Sequence, residues 1–286
     1  MTAKRLRQRL EGLAARAVWA LFAALGPDAA SGLAGRLART IGPRMKVSRV
    51  ARLNLAQAFP ERSAAEIEAI VADVWENLGR VAGEFPHVPW LAKNRVEVVN
   101  LDVLHRCRDD GAPGLFIGAH LGNWELGPAM AYREGMPITL VYRAANNPWV
   151  EDLYRKGRAN AAQIAKGPEG ARDILRALKE GGHLAILVDQ KMNDGIAAPF
   201  FGREAMTAPA VARFAIKFGC PVVPVRIERL RGAHFRVTFQ QPMEVPDTGD
   251  VHADTLTMMT AVNAQLEEWI RARPGQWLWL HRRWPE

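Results

Sequence analysis

Leu115-Phe116-Ile117-Gly118-Ala119-His120-Leu121-Gly122-Asn123-Trp124-Glu125 is the stretch of this 286-residue chain that decides its fold. A short apolar run leads directly into a histidine, and a carboxylate follows five residues later. An apolar run of this length, interrupted by glycine, is typical of a strand buried inside a sheet. The stretch therefore predicts a buried strand that delivers His120 and Glu125 to one edge of that sheet.

Strand-like and helical segments alternate on either side of this stretch, from Val96 onward. Strand patterns lie at residues 115–119, 138–142, 184–188, 222–227 and 235–239, and helical patterns at 170–180, 208–218 and 254–272. Such alternation predicts an α/β fold in which a central, mostly parallel sheet is flanked by helices.

Residues 1–95 have a helical pattern. Ser63-Ala64-Ala65-Glu66 forms a capping box, and apolar residues then recur at helical spacing. We predict an N-terminal helical, membrane-associating region at residues 1–95 and an α/β core at residues 96–286, within one continuous domain.

The first helical segment is basic and amphipathic. Its cations precede an apolar run at residues 17–25, and one helical stripe carries Leu6, Leu10, Leu13, Ala17 and Leu21. This pattern favours a helix lying in the membrane interface. The alternatives are a signal peptide and a helix packed on the protein's own core. No run of about 18 uncharged apolar residues is present, which argues against a conventional transmembrane helix.

The composition limits the possible functions. The net charge of +8 indicates an anionic partner, such as a membrane surface, a phosphorylated or acidic substrate, or nucleic acid. The seven histidines and two cysteines lack zinc spacing, so we expect no metal. No glycine-rich phosphate loop or nucleophile elbow is present, and we expect neither a cofactor nor a covalent acyl-enzyme.

His120 is the candidate general base, because its ordinary pKa lies near neutrality. Glu125 is the candidate partner that orients the imidazole and stabilises the imidazolium. Residues five apart differ by about 140° around a regular helix, so the two side chains can meet only if His120 lies in the turn before the helix. The alternative is a surface histidine beside an unrelated glutamate.

Candidate substrate-binding residues follow the other predicted strands. Arg143 and Asn147 come after the strand at 138–142, and Arg158 lies on the next helix. Asp189 and Gln190 end the run at 184–188. Strand ends are where ligands collect in α/β sheets, and guanidinium groups suit phosphates or carboxylates. The alternatives are a solvated basic helix face for the arginines and loop-fixing hydrogen bonds for Asp189 and Gln190.

Two aromatic segments each allow two interpretations. Pro199-Phe200-Phe201-Gly202 is predicted either to line an acyl channel or to be a packed loop. Residues 277–284 mix tryptophans with cations, and are predicted either to contact lipid headgroups or to dock the C-terminus on the core.

Together these residues resemble the late acyltransferases of lipid A biosynthesis, which transfer lauroyl or myristoyl chains. The matching pieces extend along most of the chain in a fixed order. They are Arg52-Leu53-Asn54-Leu55, Phe59-Pro60, Trp75-Glu76-Asn77-Leu78-Gly79, residues 120–125, Tyr142-Arg143, Asn147-Pro148, Arg155-Lys156-Gly157-Arg158, Asp189, Pro199-Phe200-Phe201-Gly202 and Trp279-Leu280-His281-Arg282-Arg283.

The resemblance implies a glycerolipid-acyltransferase-like fold on the cytoplasmic face of the inner membrane. The implied donor is acyl carrier protein, and the implied acceptor is a hydroxyl of a Kdo-bearing lipid A precursor. His120 then deprotonates that hydroxyl, Glu125 orients His120, Arg158 matches a functionally important arginine, and Arg143 holds a phosphate or the pantetheine arm. Two rival functions remain: acylation of another glycolipid, aminolipid or lysophospholipid, and a non-catalytic basic module that binds membrane or nucleic acid. The sequence contains no nucleic-acid motif.

Overall fold

The computed structural model describes residues 3–158 and 161–284. Five helices precede the first strand: α1 (Ala3–Leu25), α2 (Pro27–Ile41), α3 (Ser48–Ala58), α4 (Ala64–Glu84) and α5 (Val88–Asn94). Ser63 caps α4, and its side chain and that of Glu66 form the predicted reciprocal capping box.

The strands and helices that follow α5 are β1 (Val96–Val99), α6 (Leu101–Asp109), β2 (Gly114–Gly118), α7 (Leu126–Arg133), β3 (Ile138–Tyr142), α8 (Pro148–Gly157), β4 (Ala162–Ala165), α9 (Pro168–Lys179), β5 (His183–Leu187), β6 (Lys191–Phe200), β7 (Arg203–Thr207), α10 (Ala210–Phe218), β8 (Val222–Arg231), β9 (His234–Phe239) and α11 (Val251–Ala272). Strands and helices alternate from β1 to β5, and the later elements include the consecutive strands β5 to β7 and β8 to β9.

Seven strands form one sheet in the order β1-β9-β8-β2-β5-β3-β4. Every neighbouring pair is parallel except β8 and β9, which are antiparallel. Strands β6 and β7 form a separate antiparallel hairpin. The predicted α/β class with a mostly parallel sheet is confirmed.

The sheet is covered by helices on both faces. Leu115 and Ile117 of β2 face a core built with α3, α4, α9, α10 and α11. Phe116, between them, faces the opposite core, built with α5, α6 and α7. Because side chains alternate along a strand, a strand buried on both faces is apolar throughout, as β2 is.

The two aromatic segments are both packed inside the protein. Phe200 and Phe201 lie where β6 meets the hairpin turn, and they contact Trp277, Trp279 and Trp284. All five side chains are buried. The packed-loop and docked-terminus interpretations are therefore correct for these segments.

Helix α1 turns its leucine stripe away from the rest of the chain. Leu10 and Leu13 are each 59% exposed and Leu21 is 51% exposed. The opposite face contacts α8, where Gly12 lies so close to Trp149 that an added Cβ would be 2.3 Å from the tryptophan Cβ. The leucine stripe therefore does not pack on the protein's own core.

Among the described residues, no helix combines the length and the apolar character needed to cross a membrane. The boundary predicted at residue 95 falls between α5 and β1. The division into a membrane-associating region and a core stays a prediction. Residues 1–2, 159–160 and 285–286 of those ranges lie outside the described residues.

Candidate active site

The turn between β2 and α7 carries His120 and Glu125. His120 lies two residues after the strand, and Glu125 immediately precedes the helix. Gly122 has φ of 59°, and an added Cβ would be 2.6 Å from the carbonyl oxygen of Ile227. Only glycine suits this tight turn against β8. His120 therefore lies in the turn before the helix, as the sequence requires.

Asp189, at the end of β5, is the carboxylate that contacts His120. Its Oδ1 lies 2.8 Å from His120 Nδ1, and its Oδ2 accepts the His120 backbone N–H at 2.8 Å. Oδ2 also accepts the Trp277 indole N–H at 2.7 Å. Asp189 has no exposed surface. Both oxygens therefore make contacts within the protein, and the predicted role of Asp189 in substrate binding stays a prediction.

The Asp189 carboxylate is held ionised. Burial alone would raise its pKa, but the charge of His120 and the hydrogen bonds from its ring and backbone outweigh burial and lower the pKa below the usual range. With Nδ1 directed at the carboxylate, the proton of neutral His120 resides on Nδ1. Nε2 then carries the lone pair, and it has no protein partner among the described residues.

Glu125 contacts Arg158 instead of His120, which corrects the predicted pairing. Arg158 Nε donates to Glu125 Oε2 at 2.7 Å, and Nη2 donates to Oε1. The Glu125 side chain is 6% exposed and that of Arg158 is 15% exposed. The forked guanidinium satisfies both carboxylate oxygens, so neither remains for the imidazole.

A cavity of about 230 Å³, the first cavity, lies beside His120. Its polar lining comes from the carboxyl ends of β2, β3, β4 and β5 and from α8: His120, Glu125, Tyr142, Arg143, Tyr154, Arg158, Lys166 and Gln190. Its apolar lining comes from the strand interiors and α7, and includes Phe116, Ala131, Ile138, Leu140, Ala185, Val225, Ile227 and Phe239. The site is thus a histidine beside an apolar pocket between α7 and the sheet.

Three of the predicted substrate-binding residues line this cavity, namely Arg143, Arg158 and Gln190. Asn147 does not. Its side chain caps α8 through the Trp149 N–H at 3.0 Å, and its amide donates to the carbonyl of Gln8 at 2.9 Å. The Asn147 side chain thus caps α8 and links it to α1, and its predicted role in substrate binding stays a prediction.

The donors available for an oxyanion are few. Three backbone N–H groups of the turn are occupied: His120 by Asp189, Leu121 by Ala119, and Gly122 by Gln276. Arg158 Nη1, in contrast, is buried and has no hydrogen-bond partner within residues 3–158 and 161–284. A buried unpaired guanidinium N–H is unusual, and it is a ready donor to a charge that develops in this cavity.

Sequence reasoning missed three residues of the site. Lys166 follows the short, half-exposed strand β4 and lines the cavity, Trp277 binds Asp189, and the His281 ring lies 6.3 Å from that of His120. Burial lowers the pKa of His281, which favours a neutral ring beside His120. Lys166 follows β4, which has no strand signal in the sequence, and Trp277 and His281 belong to the distant C-terminal segment.

A buried network of hydrogen bonds and one ion pair holds the turn between β2 and α7 in place. Glu84 of α4 is wholly buried and forms an ion pair with Arg229 of β8. Asn123 donates to Glu84 at 2.9 Å, and Asn77 donates to the Gly122 carbonyl at 2.9 Å. The residues between His120 and Glu125 are therefore held by the N-terminal helices.

We expect Glu84→Gln to unfold at a lower denaturant concentration and to lose activity. Breaking a buried ion pair on one side leaves an uncompensated charge and costs about 3–5 kcal/mol. Urea unfolding followed by tryptophan fluorescence measures the loss. Glu97→Gln, which breaks the exposed pair with Arg236, is the matched control and should change stability little. Equal stability of the two variants would contradict the proposed role of the network.

The sequence matches one protein family over almost its whole length. The family described as bacterial lipid A biosynthesis acyltransferase matches residues 4–286. The chain belongs to this family. It is an acyltransferase of lipid A biosynthesis, and membership favours the enzyme over a non-catalytic basic module.

Curated relatives of this acyltransferase have named activities. The lipid A biosynthesis palmitoleoyltransferase of Escherichia coli is 27% identical over 82% of this chain and 77% of its own length. The E. coli myristoyltransferase is 24% identical over 86% and 77%, and the lauroyltransferase is 26% identical over 82% and 78%. These relatives carry three different acyl chains in their names, so the similarity alone does not select a chain length.

A solved 1-acyl-sn-glycerophosphate acyltransferase from Thermotoga maritima aligns with the acyltransferase at a TM-score of 0.38 and 11% identity. The alignment covers 82% of this chain and 96% of that one. A likeness this low has no bearing on function.

Proposed function

We propose that this acyltransferase moves a fatty acyl chain from acyl carrier protein to a hydroxyl of a Kdo-bearing lipid A precursor, with His120 as general base. The observation that carries the proposal is the placement of His120. Its Nδ1 faces the buried Asp189 carboxylate, which leaves Nε2 free, and His120 itself lines the apolar first cavity. Transfer of an acyl chain from a thioester to a hydroxyl needs both features. The base takes the proton of the hydroxyl, and the apolar pocket holds the acyl chain.

The reaction follows from these contacts. His120 Nε2 takes the proton of the acceptor hydroxyl, and the oxygen attacks the thioester carbonyl carbon. Asp189 stabilises the imidazolium, as the acid does in a triad. The carbonyl oxygen becomes an oxyanion that accepts from Arg158 Nη1. The intermediate then expels the pantetheine sulfur, which receives the proton from His120, and no covalent acyl-enzyme forms.

The polar residues of the first cavity suit the two substrates. Arg143, Lys166 and Gln190 follow strand ends on the same edge as His120. Arg143 and Lys166 are cations that suit the phosphate of the pantetheine arm or of the precursor. The donor's acyl chain occupies the apolar part of the cavity. Glu125 acts through Arg158, since it holds two of the three guanidinium nitrogens.

An acyl-transfer assay tests this function. The purified protein is mixed with a Kdo-bearing precursor and a panel of acyl-carrier-protein donors. Mass spectrometry should find the precursor heavier by one acyl chain and the carrier returned as free thiol. Lauroyl, myristoyl and palmitoleoyl donors are compared side by side. Acylation of a lysophospholipid or an aminolipid, with the precursor unchanged, would contradict the proposal.

If Arg158 stabilises the oxyanion, the Arg158→Lys enzyme should lose much of its kcat. Lysine keeps the charge but loses the fork that binds Glu125 and presents Nη1. Removing one oxyanion donor costs about 10² to 10³-fold in kcat, and we expect a loss of that order. Steady-state kinetics measure it, with Arg155→Lys on the exposed face of α8 as the control. Near-normal kcat in the Arg158→Lys enzyme would contradict this role.

The protein attaches to the cytoplasmic face of the inner membrane through α1. Support comes from the exposed leucine stripe of α1 and from the arginines and lysine that precede its apolar run. The next helix adds Leu37 and Ile41, which are 52% and 58% exposed. A basic amphipathic helix of this kind binds anionic lipid without crossing the bilayer.

Replacing Leu10 and Leu13 together by serine should weaken binding to anionic vesicles by about tenfold or more. Full burial of one leucine contributes about 1.5–3 kcal/mol, and about 1.4 kcal/mol corresponds to a factor of ten. Vesicle sedimentation measures the partitioning. Leu256→Ser on α11, also at an exposed leucine, is the control. Unchanged partitioning of the double variant would exclude α1 as the attachment.

A further inference from the structure

A second cavity of about 290 Å³ lies next to the first. The two cavities share four lining residues: Glu125, Pro128, Leu140 and Arg158. The ion pair between Glu125 and Arg158 therefore forms part of the wall between them. No residue of this second cavity other than those four has a role in the function proposed above.

The second cavity has an apolar interior and cations in its lining. Val88 and Ala92 of α5 face Ala129 of α7 across it, and both α5 residues are buried. Lys93 and Arg133 also line it, and both are exposed. The Arg133 guanidinium pairs with Glu134 and donates to the Ala92 carbonyl at 2.8 Å. An apolar interior with cations at its surface suits a hydrocarbon chain attached to an anionic headgroup.

O-acyl transfer between two lipids needs two binding sites for hydrocarbon chains. The donor brings one hydrocarbon chain, and an acceptor with its hydroxyl on an acyl chain brings another. In the proposed function the first cavity, of about 230 Å³, holds the donor's chain against its apolar lining. A second chain that approaches His120 must come from a neighbouring space, and the space adjoining the Glu125–Arg158 pair is the second cavity.

We propose that the second cavity binds the hydroxyacyl chain of the acceptor lipid, so that donor and acceptor chains lie on opposite sides of the Glu125–Arg158 pair. This inference rests on the proposed function. The acceptor hydroxyl reaches His120 over the shared wall, while its chain lies between α5 and α7. Lys93, which is exposed in the lining, attracts the anionic groups of the same lipid.

Two matched substitutions test the roles of the two cavities separately. Ala129→Leu narrows the second cavity on a helix that tolerates leucine, and Ala185→Val narrows the first on a strand that tolerates valine. Melting curves establish that both variants fold. We expect Ala129→Leu to raise the KM for the acceptor at least tenfold and to leave the KM and chain-length preference for the donor unchanged. Ala185→Val should shift the donor preference toward shorter chains and leave the acceptor KM unchanged.

An acceptor with shorter hydroxyacyl chains gives a rescue test. Such an acceptor should restore a near-normal KM to Ala129→Leu, because the shorter chain fits the narrowed cavity, and should give no advantage to Ala185→Val. An active wild type with an unchanged acceptor KM in Ala129→Leu, or with an altered donor preference there, would overturn this assignment alone. A wild type that transfers no acyl chain to the precursor would overturn the proposed function as well.

Discussion

Replacing His120 by alanine is expected to lower kcat/KM for acyl transfer by about 10² to 10⁴-fold, the usual contribution of a positioned base. The variant loses the only imidazole that joins the Asp189 carboxylate to the first cavity within the described residues. The variant should also lose some stability, because the buried Asp189 carboxylate loses the imidazole that helps to keep it ionised and retains the bond from the backbone N–H of residue 120. A melting curve establishes that the variant is folded before its activity is compared.

The measurement is transfer of a labelled acyl chain from the carrier protein at saturating acceptor. Donor binding is measured separately, since a base that acts only in the chemical step leaves the donor Kd unchanged. His252→Gln, at an exposed position on α11, controls for the loss of a histidine in general. Transfer at the wild-type rate in His120→Ala would refute His120 as the base.

Asp189→Asn is expected to cause a loss of similar size, about 10² to 10⁴-fold in kcat. An amide no longer stabilises the imidazolium, and its N–H₂ group cannot accept the bonds that the carboxylate accepts from the turn and from Trp277. Asp194→Asn, an exposed position in β6, is the matched control.

The pH profile distinguishes Asp189 from Glu125. Loss of the Asp189 charge removes the stabilisation of protonated His120, so the acidic limb of the activity profile should move to lower pH in Asp189→Asn. Glu125→Gln should lower kcat through Arg158 and leave that limb in place, because Glu125 does not contact the imidazole. A shifted limb in Glu125→Gln and none in Asp189→Asn would restore the original pairing of His120 with Glu125.

Much of the fold was predictable, because its central strands are short apolar runs bounded by polar turns. Strand β3 has the predicted bounds, and β2 and β5 differ by one residue at each end. Strands β1, β4, β6 and β7 were not predicted. Strands β1 and β4 each have four residues, none of them buried, at an edge of the sheet, so neither has the apolar run or the strict alternation that indicates a strand.

The edge of the sheet that holds the site was also predictable, but the partner of His120 was not. Sequence spacing favoured Glu125, which is near in the chain. The contact is made by Asp189, 69 residues away, because β2 and β5 are parallel neighbours and their carboxyl ends meet. The order of strands in a sheet depends on tertiary packing, which local patterns do not encode. Asp189 was recognisable as a polar residue at a strand end, and only the sheet order determines which residue it faces.

The contact between α1 and α8 has a practical consequence for anyone who shortens the protein. Asn147 at the start of α8 binds the Gln8 carbonyl, and Trp19 packs edge-on against Phe85, which in turn packs against Tyr154. Arg158 follows directly at the end of that helix. Removing residues 1–25 to obtain a protein that stays in solution would remove α1. The helix α8, which positions the Arg158 guanidinium, would then lose its contacts with α1. Solubility and a correctly built active site are therefore coupled in this chain, and detergent or lipid is a better route to a soluble sample than truncation.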